Sequence, residues 1–168
     1  MFWGQAEQKL DSRFRVALGK AGDVSNRTDF ILGLHPLKPC LWLIPKDNFQ
    51  QAFRPLIELA GTPQSLLTLL DPQVDQLKRR LFSRLAEART DDQLRISLDP
   101  ELAAAAGISA GGRVVLVGCA SHIEIWAPER FAAAGAAEMT PEEMKAALLS
   151  LLPPPQGGSA PPPEGGAR

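Results

Sequence analysis

The chain repeats itself. Shifted by 80 positions, EQKLDSRFRVAL (residues 7–18) lies over EARTDDQLRISL (residues 87–98). Glu7 meets Glu87, Lys9 meets Arg89, Asp11 meets Asp91 and Arg15 meets Arg95. On the other parity Phe14, Val16 and Leu18 meet Leu94, Ile96 and Leu98. Downstream, FILGL at 30–34 matches VVLVG at 114–118, and CLWLIPKDNF at 40–49 matches IEIWAPERF at 123–131 with Pro45 and Pro128 in register. The offset drifts from 80 to 83, as unequal loops in two copies require. A copy of about 45 residues, three strands and a short helix cannot build a generous core alone. The duplication therefore predicts an interlocked pair of halves, and exposed strand edges predict further association into an oligomer.

Each copy is expected to open with a strand on which positions 9, 11, 13 and 15 share one face, with 10, 14, 16 and 18 mainly on an apolar one. In the second copy Asp99 can cap a helix, Pro100 suits its first position, Ala103 to Ala106 favour it and Gly107 can end it. The strands VVLVG and HIEIWA follow, joined through CAS as a hairpin. Helices close the copies at about 46–60 and 128–137. Between them, residues 71–89 read as an amphipathic helix with Leu77, Leu81, Phe82 and Leu85 inward and Lys78, Arg79 and Arg84 mostly outside. EEMKAALLSLL, 142–152, reads as a last helix. From Pro153 onward lie six of the fifteen prolines and four of the fourteen glycines, a composition that cannot offset its ordering entropy by burial. The expected division is a first repeat at 1–60, a linking helix region at 61–86, a second repeat at 87–137, a C-terminal helix at 138–152 and a disordered tail at 153–168.

Composition narrows the class. The 168 residues carry 18 Lys plus Arg against 19 Asp plus Glu, a net charge of −1, so the chain is neither histone-like nor an acidic tail. With 45% hydrophobic and 22% charged residues it is globular. No apolar run approaches the roughly 20 residues of a membrane span, and MFWGQAEQKLDSRFR does not read as a signal peptide. Two cysteines make no disulfide scaffold. A cytoplasmic protein without membrane attachment is expected. The near-zero sum hides a segregation: residues 1–20 carry net +2, residues 78–95 net +3 and residues 96–168 net −4.

The basic excess surrounds a doubled motif. The first copy reads Lys9, Asp11, Arg13, Arg15 and the second Arg89, Asp91, Gln93, Arg95, or basic–Asp–variable–Arg twice. Arginine offers a planar fork of donors suited to phosphate oxygens and guanine edges, and a β-ribbon carrying such residues can enter the major groove. An aspartate nearby can hold the fork in one orientation without abolishing its charge. Asp–Arg pairs on a solvated strand contribute little by themselves, so it is the repetition in register that points to function. Arg15, Arg95, Arg13, Lys9 and Arg89 are the candidate DNA contacts, with Asp11 and Asp91 orienting the arginines.

Three rivals carry less. His35 and Cys40 lie in the hairpin region of one half and Cys119 and His122 in that of the other, and Cys119-x-x-His122 has plausible zinc spacing. These pairs are not equivalent under the repeat, and isolated Cys and His are usually packing or surface residues, so no metal or cofactor is assigned. Ser121 and His122 are adjacent, and on a strand would point to opposite faces. No phosphate loop is present, AGGR at 110–113 reads as a turn, and no catalytic set or small-molecule substrate is expected. An oligomeric protein-interaction module, with LLSLL as a docking helix, is the alternative to DNA binding.

The start MFWG…KLDSRFR and the stretch 79–131 resemble the MraZ family of bacterial transcriptional regulators over about residues 1–135. The resemblance implies an α+β, mainly β fold of two tandem swapped-hairpin repeats of the SpoVT/AbrB type, forming an interlocked β-barrel with flanking helices. It implies a ring-shaped homo-oligomer, nucleoid-associated, that binds short direct repeats in double-stranded DNA upstream of a cell-division and cell-wall gene cluster. The family motif is Asp-x-x-Gly-Arg, whose closing arginine is associated with DNA contact; by position these are Arg15 and Arg95. The motif glycine is replaced by Phe14 and Leu94. A positive φ there would strain either residue, so either the loop is rebuilt or these side chains pack inward.

Overall fold

The computed structural model describes residues 1–19, 21–24, 28–61, 72–134 and 140–151, without the side chains of 55–61, 74, 77 and 151. The tail from residue 153, residues 62–71 of the linking region and the Leu77 side chain fall outside it. The first compact unit, Met1–Ala134, runs β1 (Gln5–Lys9), β2 (Arg15–Ala17), β3 (Asp29–Leu34), β4 (Leu41–Pro45), α1 (Lys46–Gly61), α2 (Pro72–Phe82), β5 (Leu85–Arg89), β6 (Arg95–Ser97), α3 (Pro100–Ala105), β7 (Arg113–Cys119), β8 (His122–Trp126) and α4 (Pro128–Ala133). A second unit from residue 135 contains α5 (Pro141–Leu151). No helix among the described residues is long and apolar enough to cross a membrane.

The fold is α+β with antiparallel strands. Six strands lie in the order β1-β7-β8-β4-β3-β5, while β2 and β6 pair as a separate ribbon. Exchanging the two copies turns the six-strand order into its own reverse, so the repeat is a twofold in space. Its key is strand exchange: β1 of the first copy pairs with β7 of the second (Gln5↔Val117 to Lys9↔Arg113), and β5 of the second pairs with β3 of the first (Asp29↔Arg89 to Gly33↔Leu85). Two glycines admit these crossings. A Cβ on Gly118 would collide with the Trp3 backbone, and one on Gly33 would lie 2.5 Å from Leu85 Cδ2. The sheet retains two edges, β1 and β5.

Both faces of the central strands are covered, which is why VVLVG and LWLIP read as continuous apolar runs. Phe30, Leu32, Leu41, Leu43, Leu116, Ile123 and Ile125 are at most 1% exposed and join Val16, Ile96, Leu10 and Leu18 of the ribbon side in one core. On the opposite face Cys40, Val115 and Trp126 form a smaller cluster. Asp99 caps α3 by accepting from the Glu101 and Leu102 amides at 3.0 and 2.9 Å, and Gly107 follows it at φ +75°.

Three expectations fail. The strand reading of residues 9–18 is broken by a turn at 11–14, so Lys9, Asp11, Arg13 and Arg15 do not share one strand face. Apolar alternation at 10, 14, 16 and 18 is satisfied because the turn also points Phe14 inward. The helix expected at 71–89 stops at Phe82, and 85–89 is strand β5, because that segment's backbone groups are taken by β3. Helix α4 is also shorter than 128–137, ending at Ala133, with residues 135–139 outside the described set.

The β7–β8 connection is strained. The Ser121 amide donates to the Cys119 carbonyl at 2.6 Å, closing a γ-turn around Ala120 at φ +57°. Left-handed backbone costs a non-glycine residue roughly 1–2 kcal/mol, while glycine gives back about 0.4–1 kcal/mol in unfolded-state entropy. Ala120→Gly should therefore stabilise the protein by about 0.5–1 kcal/mol in chemical denaturation. An unchanged or lower midpoint would show that the turn is unstrained.

Candidate nucleic-acid interface

Each doubled motif folds into the same small device. In the first, the Asp11 carboxylate Oδ1 accepts from the Arg13 amide at 2.8 Å and the Arg15 amide at 2.9 Å, while Oδ2 accepts from Arg15 Nε at 2.7 Å. The Phe14 amide donates to the Asp11 carbonyl at 3.1 Å, and the Asp11 amide to the Arg15 carbonyl at 3.0 Å. In the second, Asp91 Oδ1 accepts from the Gln93 and Arg95 amides, both at 2.9 Å, and Oδ2 from Arg95 Nε at 2.8 Å. The Leu94 amide donates to the Asp91 carbonyl at 2.9 Å and the Asp91 amide to the Arg95 carbonyl at 2.8 Å. This is a three-residue reversal ending on a left-handed residue, the geometry of a turn with a following bulge.

Phe14 and Leu94 are those left-handed residues, at φ 58° and 54°. The loop keeps the positive φ that glycine would supply, and both side chains pack against the core. Of the two outcomes expected from the missing glycines, the loop is not rebuilt; the side chains pack inward while the left-handed backbone is kept.

From these turns β2 and β6 run antiparallel, with Arg15 opposite Ser97, Val16 opposite Ile96 and Ala17 opposite Arg95. Val16 and Ile96 are buried beneath the ribbon. Alternation then sends Arg15, Ala17, Arg95 and Ser97 to the outer face, where the arginines are diagonal neighbours about 7–8 Å apart. Their side chains are 31% and 32% exposed. Each turn is braced by the other copy: the Leu10 amide donates to Gly112 O at 2.9 Å, and the Thr90 amide to Thr28 O at 3.0 Å.

The remaining candidates lie around this centre. Arg13 is exposed at the first turn, and Gln93 holds the matching place in the second. Lys9 is exposed at the end of β1, opposite Arg113. Arg89, at the end of β5, is mostly exposed but pairs with Asp29, Nε to Oδ1 at 2.6 Å. Ala17 and Ser97 share the arginine face and were not singled out from sequence, since only the ribbon register puts them there.

Strand alternation does not separate Ser121 from His122, contrary to what their adjacency in sequence implies. Ser121 lies in the turn rather than on a strand, and its Oγ is 3.1 Å from His122 Nδ1. The Cys119 thiol and Glu124 carboxylate nevertheless push this imidazole up to about 9, so at neutral pH it carries a proton and offers no base to a serine.

No family model matches the chain. Among curated proteins it is similar to one named "Transcriptional regulator MraZ" from Alcanivorax borkumensis, at 33% identity over 136 residues, 79% of this chain and 86% of that one. The protein of the same name from Thermomicrobium roseum is 33% identical over 133 residues, with the same coverage. That from Thermus thermophilus is 27% identical over 131 residues, 78% of this chain and 85% of its own.

The turns have a measurable signature. The Arg15 amide, with its guanidinium, holds Asp11 below the usual carboxylate value of 3.8, and the Arg95 guanidinium, with its amide, does the same for Asp91. A carboxyl depressed in the folded state contributes stability above 3.8 that is lost as pH falls through its lower folded value. NMR titration of the side-chain carboxyls should give midpoints below 3.8 at both positions. Arg15→Ala should raise that of Asp11 and leave Asp91 unmoved. Midpoints at or above 3.8 in the unaltered protein would remove the charged turn.

Proposed function

The chain belongs to the MraZ family, and from that premise we propose that it is a DNA-binding transcriptional regulator that reads double-stranded DNA with the β2–β6 ribbon. The observation that carries this reading is the pair of aspartate-held arginines, Arg15 and Arg95, side by side on the outer face of a two-stranded ribbon. A ribbon of this kind suits the width of the major groove. Each guanidinium, held at Nε and in Arg95 also by Nη2 at 2.8 Å from Asp91 Oδ2, still has an outer nitrogen to present to guanine or phosphate. Arg13, Lys9 and Arg89 would meet phosphates beside it, and Asp11 and Asp91 would fix the forks.

On the same reading, the two swapped-hairpin repeats at 1–60 and 87–137 are the DNA-reading body, with 61–86 as linker. Copies of the chain assemble, through free edges such as β1 and β5, into a ring whose interlocked strands complete a barrel-like core. The ring spans short direct repeats upstream of a cell-division and cell-wall gene cluster, and the protein is nucleoid-associated. What supports the ring and its target is the family membership; what supports the contact residues is the ribbon geometry.

Mobility shifts on DNA upstream of the protein's own gene cluster test this. Arg15→Ala and Arg95→Ala should each lower affinity by roughly 10- to 100-fold, the loss of about 1–3 kcal/mol expected for a bidentate base contact. Circular dichroism should show the fold retained. Arg13→Ala and Lys9→Ala should weaken binding across sequences alike and reduce the log–log salt slope by about 0.9 per phosphate lost. Unchanged binding in both Arg15→Ala and Arg95→Ala would assign the ribbon to protein partners instead.

A further inference from the structure

A second cluster, on the helix-covered face of the sheet, has the chemistry of a metal site. Cys119 and His122 are directly opposed in the β7–β8 register, and Glu124, two residues along β8, projects from the same face. A ligand atom from each, the Cys119 sulfur, a His122 ring nitrogen and a Glu124 carboxylate oxygen, all lie within 4.8 Å of one another. Glu124 is the buried charged residue among those described, with its side chain 5% exposed. His122 Nε2 is buried without a hydrogen-bond partner, 3.8 Å from Glu124 Oε1. The strained turn at Ala120 is what brings Cys119 and His122 face to face across so short a link.

We propose that Cys119, His122 and Glu124 bind one divalent transition-metal ion of borderline softness, of the zinc or cobalt(II) kind. A sulfur, nitrogen and oxygen set within this span suits such an ion and not calcium or magnesium, which take oxygen ligands. Ser121 supplies the supporting contact: its Oγ lies 3.1 Å from His122 Nδ1 and would accept the Nδ1–H that remains once the Nε2 proton gives way to the metal. Charge also balances. A divalent ion on a thiolate and a carboxylate is neutral, and the thiol and imidazole protons leave to solvent on binding. Without the ion, the carboxylate is compensated by Lys38 Nζ at 2.5 Å, on a side chain 48% exposed that can withdraw into water. Trp126 Nε1 holds the other carboxylate oxygen at 3.0 Å, and a water completes the four positions. Of the four residues singled out in the sequence, Cys40 and His35 stay outside. Cys40 is fully buried, and His35 Nδ1 accepts from the Leu37 amide at 3.1 Å.

The full chain, stripped with chelator and titrated with cobalt(II), tests this. It should develop a thiolate-to-cobalt charge-transfer band with tetrahedral d–d absorption, saturating at one ion per chain. Cys119→Ser should abolish the charge-transfer band with the fold intact by circular dichroism. His122→Ala should weaken binding more than tenfold, and Lys38→Met, which removes the competing ammonium, should tighten it. Absence of the band at one equivalent, or a band that survives Cys119→Ser and is lost in Cys40→Ala, would overturn the site. None of these readouts depends on DNA binding.

Discussion

If β1 did not cross to β7 and β5 to β3, each hairpin would present an unpaired row of amides and carbonyls and half a core. Everything else follows from that exchange. Handing over β1 forces the chain to reverse at 11–14 so that β2 can meet its counterpart, and the second copy does the same at 91–94. Carrying both copies on one chain also makes the exchange cheap. Closing a loop of about 80 residues costs about 4 kcal/mol, whereas bringing two separate chains together costs an estimated 4–15 kcal/mol before any contact is made.

The reversal places Phe14 and Leu94 in left-handed backbone, at roughly 1–2 kcal/mol each. Two effects offset that. Each aspartate gathers two backbone amides and the guanidinium that follows it, charge-assisted hydrogen bonds that solvent weakens at these part-exposed positions. Each apolar side chain also packs on the core, which a glycine could not do. The turn therefore survives the loss of its glycine because the carboxylate dictates its shape. The same three bonds fix the arginine, so the strain and the readiness of the guanidinium have one cause.

Much of this was legible from the repeat. The paired Asp and Arg positions, the α3 cap, the 119–122 hairpin and the α1 boundaries follow from local signals at fixed offsets. The failures share a reason: periodicity reports which side chains are buried and not which backbone carries them. Residues 9–18 alternate like a strand because Leu10, Phe14, Val16 and Leu18 all face the core, although a turn intervenes. Leu85 continues the apolar stripe of α2, yet β3 claims residues 85–89 for the sheet. His122 and Trp126 flank Glu124 at alternate positions of β8. Glu124 was nevertheless invisible as the centre of a polar cluster, because only the tertiary pairing of β4, β7 and β8 brings Lys38 and Cys119 to it.

Net charge then takes on a different meaning. A whole-chain sum of −1 leaves little general attraction for DNA, so affinity must come from placed contacts. On the proposed reading, the two arginines of a chain discriminate against a wrong base by about 1–3 kcal/mol each. Phosphate contacts from Lys9 and Arg13, proposed beside them, would add an attraction that falls as salt rises. Several identical ribbons on one duplex, as in the proposed ring, would add up, because each further engagement is intramolecular. For a nearly neutral chain with one such ribbon, the proposed oligomer on repeated sites therefore offers more than a monomer on a single one could.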